Sequence, residues 1–249
     1  MTAVIAHLSA SIGGSFLLLA VGGLAGYFLL CGASHAYFWV ARKERHFPDE
    51  TLDPAQLRRE RAWSVVSILG NAVLTAPITW LVAHGRSRLY PGFGDRGLGW
   101  ALVSIALYLV VTDTLIYWIH RALHVPFLYA RLHKVHHSFR TTSPWASFAF
   151  HPLDAFAQAV PHHLCAFLFP APAAVYWGFL IFVSIWTVAI HDRVSIVRWS
   201  VLNYTGHHTV HHRFNKHHYG QFLTAWDRLC GTYRHPAGLV VDGGDRRPS

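Results

Sequence analysis

Charge is scarce in this chain of 249 residues: Asp, Glu, Lys and Arg together make up 13% of it, about half of the roughly 25% usual in soluble domains. That excludes an ordinary soluble domain, a charge-rich disordered chain and a coiled coil. Cysteine is scarce too. Cys31, Cys165 and Cys230 are odd in number and lack CxxC spacing, so there is neither a disulfide framework nor a cysteine-held zinc or iron–sulfur site. No Lys or Arg precedes Arg42; without a basic flank, the first apolar stretch is expected to be a transmembrane helix and not a cleaved signal peptide. No Glu-x-x-His motif occurs, which excludes the carboxylate di-iron sites of helix bundles. The formal charge of +9 is spread in short clusters between apolar runs. Such clusters suit anionic lipid headgroups and argue against nucleic acid as a partner.

Apolar residues, by contrast, make up 53% of the chain. Runs over residues 12–40, 63–83 and 98–119 predict three full membrane spans, with Pro77 kinking the second. Gly22 and Gly26 form a small-xxx-small pair that predicts close helix packing. Residues 159–169 and 173–190 flank the breaker Phe169-Pro170-Ala171-Pro172. The first of these runs is short for a crossing, so the pair is expected to form a helical hairpin that dips in and returns. Six basic residues lie in residues 42–61, where Pro48 and Pro54 are expected to prevent one long helix. Only Arg86, Arg88 and Arg96 lie in the connector at residues 85–97. By the positive-inside rule the first loop, and everything from His120 onward, faces the cytoplasm. The fold class expected is all-α and integral to the membrane: about three spans, the hairpin, and a cytoplasmic histidine-rich helical cap. The organisation expected is N-terminal membrane helices and a basic loop over 1–112, a catalytic domain over 113–236 and a polar tail over 237–249.

Histidine is the outlier, with 20 residues, 15 of them between His120 and His218. His120 and His124 are spaced i, i+4; His133, His136 and His137 form an HxxHH box; His208, His211 and His212 repeat that box. On a helix these spacings bring imidazoles to one side, within reach of one metal. A zinc-buffering tract would have irregular spacing. Eight box histidines exceed the needs of one tetrahedral site, so two metals sharing eight or nine nitrogens are expected. Imidazole suits zinc, copper, iron and nickel alike; iron is inferred because oxidising an unactivated lipid C–H bond needs a redox metal and dioxygen. Asp113 lies inside a span, where an ionisable group points to function. It sits about 10 Å along the helix from His120, too far to orient that ring, so a bond to a ligand from another helix or a role in packing the site is expected. Asp192 and Asp227 are candidates for similar work.

These boxes resemble those of the fatty acid hydroxylase/sterol desaturase superfamily. The resemblance extends to its sterol C5-desaturase subgroup through Ser143-Pro144-Trp145-Ala146-Ser147-Phe148-Ala149-Phe150-His151-Pro152-Leu153-Asp154, Ile185-Trp186-Thr187-Val188-Ala189-Ile190-His191-Asp192, and Tyr219-Gly220-Gln221-Phe222-Leu223-Thr224-Ala225-Trp226-Asp227-Arg228. It implies a di-iron, oxygen-dependent enzyme acting on a sterol-like lipid at the cytoplasmic face of a bacterial inner membrane or the endoplasmic reticulum. The ligands it implies are His120, His124, His133, His136, His137, His208, His211 and His212, with His191 as a ninth and His207 and His151 in reserve. His162, His163, His217 and His218 are expected to be interfacial or surface residues. Two iron ions are the implied cofactor, with zinc able to replace them in recombinant protein. With no dinucleotide fingerprint and no cysteine cluster expected in it, the chain is expected to draw electrons from cytochrome b5 and its NADH reductase, or from ferredoxin. The alternatives are hydroxylation of a fatty acyl, carotenoid or other lipid and, in a different class, membrane zinc transport. Transport is disfavoured because the boxes follow the spans and do not lie near their middle.

Overall fold

The computed structural model describes residues 7–236; the polar tail expected at 237–249 lies outside them. Helix α1 (Ile12–Ser34) is capped by Ser11, whose side chain accepts the Gly14 N–H at 3.0 Å. A π-helical turn over His35–Ala41 carries it on. Helix α2 (Pro54–Ala83) begins well before its apolar run. Pro54, expected to break the helix, opens it instead: at the first helical position a missing N–H goes unneeded. Asp53 caps α2 by accepting from the Ala55 N–H at 2.9 Å and the Gln56 N–H at 3.3 Å. Arg58, Arg59 and Arg61 therefore ride on its first turns. Pro77 lies inside α2 without ending it. Helix α3 (Leu98–Leu123) delivers His120 on its last turn and His124 as its C-cap.

The rest of the chain is built from α4 (Lys134–His137), a 3-10 turn at Pro144–Phe148, α5 (Pro152–Leu168), α6 (Ala173–His191), α7 (Thr205–Phe214) and α8 (Ala225–Leu229). Ile12–Ala41, α2, α3 and α6 are each long and apolar enough to cross a membrane. The hairpin of α5 and α6 reaches further than a shallow dip. Asp154 and Gln158 make the start of α5 polar and hid its first turns from an apolar count; the helix runs 17 residues. At the hairpin tip Ala171–Pro172 pairs in parallel with Leu89–Tyr90. The Arg88 N–H donates to the Ala166 carbonyl at 2.8 Å and the Trp100 indole to the Pro170 carbonyl at 2.9 Å. The tip thus meets the α2–α3 connector, a full helix length from His120. At the opposite end Arg193 grips Glu50 through two contacts of 2.6 and 3.0 Å, so the basic loop and the histidines share one end of the bundle.

Tyr27, Cys31, Ile68, Trp145 and Val188 form the packed centre that joins α1, α2, the 3-10 turn and α6. The Tyr27 and Ser64 hydroxyls both donate to the Trp145 carbonyl, at 3.1 and 3.0 Å. The fully buried Glu60 accepts from Ser143 at 2.5 Å. Gly22 and Gly26 do not mark close packing as expected. A Cβ at either would meet nothing within 4 Å, whereas one at Gly23 would lie 2.9 Å from Ile68 Cγ2. Gly23 makes the helix contact, and its two neighbours leave space open. The connector also holds glycines at 92, 94 and 97 in the spacing of a dinucleotide loop, ahead of α3. Its Gly92 N–H, however, is taken at 2.8 Å by the Asp95 carboxylate, a group that would repel a pyrophosphate.

Candidate metal centre

Nine histidines from α3, α4, α6, α7 and the π-turn Tyr129–His133 converge into two groups. His120, His124, His133, His137 and His211 form one; His136, His191, His208 and His212 form the other, and within each the ligand atoms lie within 4.8 Å of one another. The i, i+4 pairs His120/His124, His133/His137 and His208/His212 each stay within one group. The i+3 members, His136 and His211, cross to the other. The two HxxHH boxes are thereby knitted around both centres, and the His137 and His212 rings, 4.8 Å apart, lie where the groups adjoin.

What these nitrogens face tests whether metal fits. His120 Nδ1 meets the Tyr219 carbonyl at 3.0 Å, His191 Nδ1 the Thr187 carbonyl at 2.7 Å, and His211 Nδ1 the His217 carbonyl at 2.7 Å. His133 Nδ1 meets Asp154 Oδ2 at 2.7 Å. Each Nδ1 must donate, so in a neutral ring each Nε2 carries a lone pair. Yet the Nε2 atoms of His133 and His211 lie 3.1 and 3.0 Å from His137 Nε2. Likewise His191 Nε2 lies 3.0 Å from His208 Nε2 and 3.3 Å from His136 Nε2. The Nε2 atoms of His120 and His124 are buried without any partner. His133 and His211 both present a bare Nε2 to that of His137, which could donate a proton to only one of them, so a shared cation satisfies the cluster better than hydrogen bonds do.

Burial, and after it the neighbouring histidines, keeps six of the rings in the metal-ready neutral form. It pushes His124 down to about 3 and holds His136, His137, His208, His211 and His212 well below their ordinary value of 6.5. In this range the unfolded chain binds more protons than the folded one, so stability rises with pH up to about 6.5 and falls below it. Chelator-treated protein should therefore melt at progressively lower temperature as pH drops from 6.5 toward 5. A melting temperature that stays flat across that interval would contradict this electrostatic picture.

The carboxylates act at one remove. Asp113 accepts the Phe222 and Leu223 N–H groups at 2.7 and 3.2 Å. Asp227 accepts the Tyr219 and Gly220 N–H groups at 2.9 and 3.1 Å. Together they hold the loop whose Tyr219 carbonyl orients His120. Asp192 accepts from the Val194 N–H and the Ser34 hydroxyl, at 3.0 and 3.4 Å, and touches no clustered ring. His151 stands outside the groups and caps α5 through the Leu153 N–H at 3.2 Å. His207 also stands outside, against the Leu202 carbonyl and the Tyr233 hydroxyl. Sequence inspection missed the role of Asp154, because its bond to His133 spans 21 residues. The signal was a carboxylate just inside a helix start, beside a histidine. His162 and His163, expected at the interface or surface, are buried, at 2% and 6% exposure. His217 and His218 are tied to the backbone of Thr232 and Arg234, and His218, also expected at the interface or surface, is fully buried.

Beside the second group opens a cavity of about 720 Å³, bordered by α1, α2, α3, α5 and α6. His120, His136, His191 and His208 stand in its wall among apolar side chains such as Leu30, Ile68 and Leu180. Gly22 and Gly26 line its α1 side, which explains the open space at both. The Phe150 ring, also in the wall, stacks on His136 at 3.9 Å. The volume falls within the roughly 300–1,000 Å³ of small-molecule sites.

The fatty acid hydroxylase family model matches residues 105–232, the stretch that contains all nine clustered histidines. Lathosterol oxidase of Mus musculus is 39% identical over 233 residues, covering 91% of this chain and 77% of that protein. A Delta(7)-sterol 5(6)-desaturase of Aspergillus fumigatus is 38% identical over 228 residues, covering 91% and 67%. A Schizosaccharomyces pombe protein of the same name is 38% identical over 229 residues, covering 91% and 68%. No solved structure matches the chain. With its histidine boxes, its apolar helices and these relatives in agreement, the chain belongs to the fatty acid hydroxylase family.

Proposed function

We propose that this protein is an oxygen-dependent di-iron sterol C5-desaturase, embedded in the membrane with its metal centre on the cytoplasmic face. The observation that carries the reading is the junction of the two: neutral, converging imidazoles open directly onto an apolar cavity between membrane helices. The names of the relatives, lathosterol oxidase and Delta(7)-sterol 5(6)-desaturase, supply the substrate class. His120, His124, His133, His137 and His211 would hold one ion, and His136, His191, His208 and His212 the other. Two iron ions held there would supply, with dioxygen, the oxidising power to break an unactivated C–H bond. The chain's own contribution is positioning. Leu30, Ile68 and Leu180 give the cavity an apolar wall, and a rigid ring system fixed against them would present two neighbouring C–H bonds in turn. Desaturation then prevails over hydroxylation because the second hydrogen is already in place. Electrons would come from an external donor, cytochrome b5 with its reductase or ferredoxin, arriving at the histidine-bearing end.

Membranes containing the protein, supplied with lathosterol, oxygen and a reduced donor, should form the 5,7-diene and no stable alcohol. A hydroxylated fatty acid with the sterol untouched would move the protein to lipid hydroxylation. Topology gives a separate check. Reporters within residues 44–61 and at the C-terminus should both report cytoplasm, and one within residues 86–96 the opposite side. An external C-terminus would part the histidines from cytoplasmic donors and overturn the assignment.

A further inference from the structure

The cavity wall carries polar side chains away from the metal centre, among them Asn71 and Thr75 on α2 and Gln158 and His162 on α5. Ala155, Gln158, Ala159 and His162 fall at i, i+3, i+4 and i+7 along α5, and all four line the cavity. At the start of this helix Asp154 holds His133 of the metal centre. His162 lies eight residues further, about 12 Å along the axis at 1.5 Å per residue. It is 2% exposed, and both its Nδ1 and its Nε2 lack a hydrogen-bond partner. Its neighbour His163 is satisfied by the Tyr176 hydroxyl at 2.9 Å. The backbone at His162 is fixed as well: the buried Tyr108 hydroxyl donates to its carbonyl at 2.9 Å. A buried imidazole carries one donor and one acceptor, and native interiors rarely leave both unmet. Here an unpartnered ring on a fixed backbone stands in the wall of a largely apolar chamber, where Thr75 already bonds to Asn71 at 3.4 Å and Gln158 to Asp154 at 2.8 Å.

We propose that His162 receives a hydroxyl or carbonyl oxygen that the substrate carries far from the carbon being oxidised. This rests on the sterol reading above and narrows it. In a sterol oxidised at C5, the ring-A hydroxyl sits two carbons away, close to the metal centre, and cannot span about 12 Å. The oxygen that reaches His162 is therefore on the side chain, and the substrate class is a side-chain-oxygenated sterol. A hydroxyl suits the ring best, since it can accept from a protonated ring nitrogen or donate to a bare one, whichever tautomer faces it.

The test measures binding in purified protein held without oxygen or reductant, so that no turnover intervenes. The probes are lathosterol and lathosterol hydroxylated near the end of its side chain, each displacing a fluorescent sterol. The protein should prefer the hydroxylated probe by roughly tenfold, the scale of one buried hydrogen bond. His162→Phe should bring the ratio of the two affinities close to one. His162→Gln, which keeps a donor and an acceptor, should retain part of the preference, and the melting temperature of each variant checks that it is folded. Equal binding of the two probes by the unmodified protein, or a preference that survives in folded His162→Phe, overturns the proposal and leaves the sterol reading standing. Failure of both probes to bind overturns the sterol reading and this proposal with it.

Discussion

Replacing His137 with alanine should abolish turnover, by at least about a thousandfold, and lower bound metal from two ions per chain toward one. His137 is the ring through which the two groups meet. Its Nε2 lies 3.1 Å from that of His133 and 3.0 Å from that of His211, and its ring faces His212 at 4.8 Å. Removing it takes one imidazole from the first group and leaves a void where the two groups adjoin. Membrane insertion should be unaffected, because the apolar surface of the spans is untouched. The exposed His84, bonded only to the Trp80 carbonyl at 2.8 Å, is the matched control, and His84→Ala should keep full activity. Metal analysis after anaerobic purification in mild detergent, alongside oxygen uptake, decides the matter. Normal activity in His137→Ala would sink the two-metal assignment. Zinc in recombinant material would not, since imidazole binds either metal.

Asp154→Ala should weaken metal binding or activity by roughly 10- to 100-fold, the usual cost of losing the partner that orients a ligating histidine. Among the described residues Asp154 is the carboxylate that pairs with a clustered ring, 2.7 Å from His133 Nδ1, and it is fully buried. Its other oxygen accepts from Gln158 at 2.8 Å, so the carboxylate is itself held in place. In a site built from neutral nitrogens, this one negative charge makes His133 a stronger donor and fixes its tautomer. Asp154→Asn keeps an acceptor but loses the charge, so it should fall between the unmodified protein and Asp154→Ala. Chelator competition measures the affinities directly. Affinity in Asp154→Ala equal to that of the unmodified protein would show that His133 needs no such partner.

Much of this was written in the order of residues. Low charge and long apolar runs foretold a helical membrane protein, since an unpaired backbone in a bilayer leaves few other folds. The spacing of His120/His124, His133/His137 and His208/His212 marked pairs on common helix faces, because i and i+4 are neighbours on any helix. Where local polarity masked a helix, the sequence misled: the start of α5 at Pro152 and the start of α2 at Pro54 both lie beyond their apolar runs. The partition of the rings into five and four was decided only when the chain folded. At about 100° per residue, an i+3 histidine sits about 60° round the helix from its i partner and about 100° from the i+4 one. Whether that divergence wastes the ring or sends it to a second centre depends on what stands opposite, and α4 and α7 stand opposite each other. The same holds for Asp154 on His133, for the Tyr219 carbonyl on His120, and for Gly22 and Gly26 facing a cavity instead of a helix. Each is a contact between distant segments, and local spacing carries no information about which distant segment will arrive.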